Sequence, residues 1–229
     1  MATATETRRR DWRPQKPRPT RRPPPITDPL LEPLWSGTRV LAHFTAQPES
    51  DAPPRLELVD EWGDEVGRIA PAAVEALGRA VMALEAVIDG VLTVQPALGG
   101  DGTALIAEAH VPGMGMFVPR APQIVYQRRI ARPDEDPEIC FVAVDLLSVD
   151  GQPLLDLPLL ERRRQLESLF VESDLVRVSP VVRPPIGPWL NSWRAAGFAG
   201  LMMKAANSRY RPGELTVEWS VVRQQGQRS

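Results

Sequence analysis

The sequence predicts an α+β domain built around antiparallel sheets. Short apolar stretches of strand character recur along the chain, a few stretches carry the three-and-four spacing of helices, and the two kinds interleave without a regular alternation. The 229 residues, 43% hydrophobic and 24% charged, suffice for one substantial domain or two small ones. No apolar run approaches the ~20 residues that cross a bilayer, and the N-terminus lacks the apolar core of a secretory signal. The cytoplasm is the expected location. A single cysteine excludes an intramolecular disulfide framework, and with two histidines it cannot build a usual zinc site.

Residues 1–26 are rich in arginine and proline and nearly devoid of core-forming side chains, so burial cannot offset the entropy of ordering them. A flexible arm is expected. It carries Arg8, Arg9, Arg10, Arg13, Lys16, Arg18, Arg21 and Arg22, which suit phosphate contacts, and Trp12, which suits stacking on a base. A solubilising tail or an overcalled start codon accounts for the same composition. The formal net charge is -2, yet residues 1–25 hold eight basic side chains against two acidic ones. Broad attraction to nucleic acid must therefore come from this arm or from local patches.

From residue 27 to 223 the pattern is that of a folded domain, followed by a short tail at 224–229. Val40 to Ala46 and Leu56 to Glu61 read as strands, separated by a proline-bearing loop over 47–54. Apolar residues at Val74, Leu77, Val81 and Leu84 predict a helix over 72–84 started by Pro71. A strand or hairpin is expected over 86–94, interrupted at Asp89-Gly90. Residues 104–110 fit strand or helix, and the glycines of 112–116 suit a connector better than a phosphate cradle. Ile139 to Val149 reads as a buried strand closed by an Asp150-Gly151 turn. The run Leu159 to Leu169 then predicts a helix with one apolar and one charged face. A strand over 175–182, a short helix over 189–196 and strands over 198–204 and 215–223 complete the reading. Cys140, inside a buried strand, is expected in the core. His43 and His110 show no catalytic pairing, and Asp134-Glu135-Asp136 reads as a solvated loop.

Several strings carry more specific information. Glu32-Pro33-Leu34-Trp35-Ser36-Gly37-Thr38-Arg39 resembles the EPKxDGxR signature of ATP-dependent DNA ligases, with Leu34 in place of the lysine and Ser36 in place of the aspartate. Phe141 to Gly151 and Leu157 to Arg163 resemble the FDLLxLDG and LPLxERR stretches of bacterial members. Gly197 to Lys204, Ser208 to Gly213 and Trp219 to Arg223 resemble GFEGVVxK, SxYxPG and WxKxK in the family's order. The chain is thus identified as similar to the adenylation domain of that family from about Asp28 to Arg223.

The resemblance implies a ligase-type nucleotidyltransferase fold, ATP-grasp-like, with antiparallel sheets flanked by helices. It also implies losses. A family member attacks ATP with a lysine amine, and Leu34, at that position, offers no nucleophile. The chain holds two lysines: Lys204 belongs to a motif whose lysine contacts the α-phosphate in the family, and Lys16 lies on the arm. The DGE motif reads Asp89-Gly90-Val91 and the EG motif Ala199-Gly200, so two carboxylates expected near ribose and metal are alkyl groups, which give Mg²⁺ no oxygen ligand. WxKxK has become Trp219, Val221 and Arg223.

Glu32, Arg39, Lys204 and Arg223 are the residues expected to mark a vestigial nucleotide cleft. Leu34, Val91, Ala199 and Val221 are expected to converge on one depression there, with Lys204 and Arg39 at its edge. The OB-fold domain that follows WxKxK in the family is expected to be missing, since six residues follow Arg223. The resulting expectation is an inactive ligase-like domain that binds DNA or a DNA-repair protein, with no cofactor and no metal. The alternative is an active ligase, using ATP and Mg²⁺, whose atypical site is completed by a partner.

Overall fold

Nearly continuous burial of the central strands builds one large sheet covered on both faces, seen in a computed structural model that describes residues 11–18, 25–49, 52–94, 105–107, 123–125 and 139–223. The strands in chain order are β1 (Lys16–Pro17), β2 (Pro29–Pro33), β3 (Thr38–Thr45), β4 (Arg55–Asp60), β5 (Glu85–Thr93), β6 (Leu105–Ala107), β7 (Gln123–Val125), β8 (Cys140–Val149), β9 (Gln152–Pro153), β10 (Val176–Val178), β11 (Gly200–Ala205), β12 (Leu215–Thr216) and β13 (Trp219–Arg223). The helices are α1 (Pro71–Ala80), α2 (Leu159–Leu169) and α3 (Ile186–Ala195).

The large sheet has the order β10-β8-β5-β3-β4, with β9 on the edge of β8. A second sheet has the order β13-β11-β2 and is antiparallel throughout. Within the two larger sheets the expected antiparallel architecture holds with one exception: β10 runs parallel to β8, because the chain between them passes through α2 and can return in the same direction. β1 and β12 form a short parallel pair, and β6 pairs with β7.

Three layers of packing follow. One face of the large sheet, through Val40, Ala42, Phe44, Ile88, Leu92, Phe141, Ala143 and Leu146, buries against Ala73, Leu77 and Ala80 of α1 and Leu166 of α2. The outer face of the small sheet, through Leu31, Leu201 and Met203, buries against Trp189 and Trp193 of α3 together with Phe198. Between the sheets lies a third cluster of Leu41, Val87, Leu147, Met202, Tyr210 and Trp219.

Several boundaries differ from the sequence reading, each for a local reason. Helix α1 ends at Ala80, short of Leu84, because Val81 turns extended and bridges to Phe170 while the Met82 N–H donates to the Leu169 carbonyl at 2.9 Å. Asp89-Gly90 does not interrupt a strand: β5 runs through it, with register irregularities against β8 between Val87 and Ile88 and between Asp89 and Gly90. A side chain at position 90 would overlap the Phe141 ring, so glycine permits the close crossing. The stretch over 175–182 pairs only at 176–178, α3 begins at Ile186, and 215–223 divides into β12 and β13. Strand β2 was hidden by its terminal prolines, which sit at the ends of an edge strand where they cost little.

Helix α2 carries the largest surprise of patterning. Arg162 and Arg163 lie on its buried face beside Leu159 and Leu166, so its charged residues are not confined to one solvated side. Residues 11–18 also depart from the flexible arm expected over 1–26: they lie along the domain, with Gln15 buried and β1 paired to β12. Residues 1–10 and 19–24 of that arm, the loops at 112–116 and 134–136, and His110 fall outside the described residues, whereas 105–107 of the ambiguous stretch form β6. Among the described residues no helix is long and apolar enough to cross a membrane.

Candidate functional site

The cleft between the two sheets gathers the charged residues singled out by sequence. Strand register sets Glu32 beside Met202 beside Val221, and Leu30 beside Lys204 beside Trp219. Side-chain alternation turns this set toward the large sheet while Leu31, Leu201 and Met203 face α3. Residues at the two ends of the chain's domain thereby share one cavity floor.

Lys204 is 1% exposed, and its Nζ lies 2.9 Å and 3.0 Å from the two carboxylate oxygens of Glu32. The ammonium also sits 4.6 Å from the centre of the Trp219 ring, within cation–π range. Burial holds the Lys204 pKa below the ordinary lysine value; Glu32 opposes that shift and Arg39 adds to it. Lys204 is therefore part of the cleft floor and not of its edge, correcting the expectation.

Arg39 forms a two-pronged ion pair with Asp89, at 2.5 Å and 2.6 Å. Burial works against its charge, but the Asp89 carboxylate more than compensates and holds the guanidinium pKa above its already high value. The Tyr210 hydroxyl donates to the same carboxylate at 2.6 Å and accepts from the Gln15 N–H at 2.9 Å. Burial, then the Asp89 charge, pushes the Tyr210 phenol well above the ordinary tyrosine value, with Arg39 opposing. Beside this, Arg162 pairs with Asp145 at 2.8 Å and 2.9 Å, both side chains fully buried, and donates to the carbonyls of Leu157 and Ser208. Asp145 also accepts from the Leu146 N–H at 2.8 Å.

Leu34 ends β2 with its N–H donating to the Gly200 carbonyl at 3.0 Å, and its half-buried side chain packs with Val221, Leu155 and Trp12 on the cluster between the sheets. Val91 is buried on β5 opposite Arg39. Of the four side chains expected to converge, Leu34 and Val221 meet on one cluster, while Ala199 is exposed. Arg223 is exposed at the end of β13. Gly37, at φ 151°, passes so close to the Leu92 carbonyl that any side chain would collide, a reason for glycine in that motif unrelated to chemistry.

Of the arm residues, Arg13 is half-buried, Lys16 pairs with Glu61 and Arg18 is exposed; Arg8, Arg9, Arg10, Arg21 and Arg22 lie outside the described residues. Cys140 is buried, its Sγ 3.7 Å from the Asp174 carbonyl, as expected of a core position. Sequence reasoning missed Gln15 and the pairing of Arg162 with Asp145, and it gave Trp12 to base stacking, whereas the side chain packs on the apolar cluster between the sheets. SxYxPG pointed to Tyr210, and LPLxERR contained Arg162, but no local signal linked Gln15 to a hydroxyl 195 residues away.

Comparison with known proteins agrees with this architecture. The family described as ATP dependent DNA ligase domain matches residues 121–221. A DNA ligase of Natronomonas pharaonis is 29% identical over 198 residues, 82% of this chain and 31% of that protein. A probable DNA ligase of Streptomyces avermitilis is 37% identical over 86 residues, 36% of this chain and 17% of that protein. The crystal structure of the ligase domain from M. tuberculosis LigD superposes with a TM-score of 0.60 at 22% identity, covering 93% of this chain and 60% of that one. A Chlorella virus DNA ligase-adenylate gives 0.55 at 11% identity, covering 93% and 67%. The chain spans about a third of the length of the first curated relatives it matches.

Proposed function

We propose that this chain, similar to the ATP-dependent DNA ligases and with the nucleotidyltransferase fold of their ligase domains, is a domain that forms no covalent adenylate and acts by binding DNA or a DNA-repair protein. The observation that carries this reading is the state of the cleft's charges. Glu32 and Lys204 are ion-paired with each other, and Arg39, Asp89 and Tyr210 are bonded to one another. A nucleotide phosphate would have to break these buried pairs, each costly to separate because the partner is left charged in a water-poor site. Leu34 stands where the family resemblance puts the nucleophile, and the amine of Lys204 is held against Glu32. Nucleotidyl transfer of the adenylation type, in which an amine bonds to the α-phosphorus as pyrophosphate leaves, needs a free amine in line with the leaving pyrophosphate, which this arrangement does not supply.

Incubation with radiolabelled ATP and Mg²⁺ followed by denaturing electrophoresis tests the proposal. No labelled band is expected from the wild-type chain, and Leu34→Lys alone should not yield nick sealing, since Val91 and Val221 remain. An acid-labile AMP adduct at stoichiometric yield on the wild-type chain overturns the reading in favour of a ligase with an atypical site. Binding is tested by fluorescence anisotropy on nicked duplex at two salt concentrations, where a phosphate-dominated contact weakens steeply as salt rises.

A further inference from the structure

Three groups were left without a role: the exposed Trp62, 73% accessible on the turn after β4; the hollow of about 540 Å³ lined by Asp64, Glu65, Val66, Arg68 and Ile69; and the ordered segment ahead of β2. The third has the most explicit structure. Pro14 and Pro17 fix an extended backbone and remove two donors, and each remaining amide from 15 to 18 is used. The Gln15 N–H donates to the Tyr210 hydroxyl at 2.9 Å, the Lys16 N–H to the Glu214 carbonyl at 3.1 Å and the Arg18 N–H to the Thr216 carbonyl at 2.6 Å. In return the Arg13 carbonyl accepts from the Gly213 N–H at 2.8 Å, and the Gln15 side-chain carbonyl accepts from the Arg211 N–H.

These bonds attach the segment to the 210–216 connection, which leads into β13 of the small sheet. Its other side reaches the large sheet: Lys16 pairs with Glu61 just beyond β4, and the Arg13 guanidinium lies against Gly63 in the following turn. Gln15 is 1% exposed, and Trp12 packs on the same apolar cluster as Leu34 and Val221. A tail held only by surface charge would show neither feature.

We propose that Trp12–Arg18 is a built-in strap that ties the two sheets together and closes the cleft between them against soluble ligands. The strap deepens the non-adenylating reading of the cleft and rests on it. Trp12 adds apolar cover to the cluster that Leu34 and Val221 also flank, and the Gln15 N–H extends the chain from Arg39 through Asp89 and Tyr210 to the strap backbone. Docked in this way, the segment is the cleft's resident occupant.

The test uses the full chain in a Cys140→Ala background, with Met202→Cys reporting on the cleft and Leu166→Cys on the core beneath α2. Both cysteines are challenged with a small thiol reagent under native conditions, with and without Trp12→Ala. Loosening the strap is expected to raise labelling at position 202 by about tenfold or more, as local opening does, while position 166 changes little. Lys16→Glu, which sets like charge against Glu61, is expected to act in the same direction more weakly and serves if Trp12→Ala does not fold. An unchanged rate at position 202, or an equal rise at both positions, overturns the strap. Labelling needs no nucleotide, so its failure leaves the adduct assay standing, and an adduct would leave the labelling result standing.

Discussion

The large sheet is buried on both faces, yet the two faces hold by different means. Toward α1 and α2 it presents Val40, Ala42, Ile88, Leu92 and Phe141, side chains whose contribution is spread over many small contacts. Toward the small sheet the apolar cluster is interrupted by Arg39, Asp89, Asp145, Glu32 and Lys204, charged groups held by particular ion-pair partners. The first face should lose stability in proportion to the atoms removed. The second should fail abruptly when one member of a pair is lost, and lose little when both are replaced together.

Asp145→Ala gives the largest expected effect, because it strands the fully buried Arg162 guanidinium. A loss of about 3–5 kcal/mol in urea unfolding is expected, with most of it restored when Arg162→Met is added to Asp145→Leu. A loss below ~1 kcal/mol would mean that water reaches this pair and that the contrast between the faces is false.

Tyr210→Phe should cost about 1.5–3 kcal/mol, since it removes a hydrogen bond to the Asp89 carboxylate and the acceptor of the Gln15 N–H. It should also change the alkaline limb. The native phenol keeps its proton above the ordinary value of 10.0, where the unfolded chain has lost it, so its contribution is whole below that pH and declines as pH rises further. Lys204, shifted down, works in the opposite sense as pH rises toward 10.5. Both proteins retain Lys204, so the steeper alkaline decline of the wild type relative to Tyr210→Phe isolates the tyrosine. Identical alkaline slopes would refute the buried phenol.

Ile88→Val, on the apolar face, gives the smallest expected effect, about 0.5–1.5 kcal/mol by the same urea measurement. A loss comparable with Asp145→Ala would erase the distinction between the faces.

The same contrast sets what could be read from sequence. Apolar spacing placed Val74 and Leu77 on α1 and identified β8 as buried, because a sheet or helix face is a local pattern. Motif strings located Glu32, Arg39 and Lys204 in one site through their order along the chain. Partnerships were not legible: nothing near Lys204 names Glu32, 172 residues away, and nothing in the ERR of α2 says that two arginines turn inward to Asp145 and to carbonyls. Helix ends were also out of reach where a neighbouring element sets them, as Phe170 and Leu169 set the end of α1. The arm was misread over 11–18 because composition reports side chains, whereas the segment is held largely through its backbone.

The bond from Gln15 to Tyr210 joins the beginning of the chain to its last fifth. On a ribosome adding ~5–20 residues per second, the 195 residues between them imply a wait of roughly 10–40 s before the two can meet. During that interval the large sheet can assemble from β3, β4, β5 and β8, while Trp12 has no surface to cover. Vectorial synthesis thus delays docking of residues 12–18 until the 210–216 connection has been made, and leaves the nascent cleft open until then.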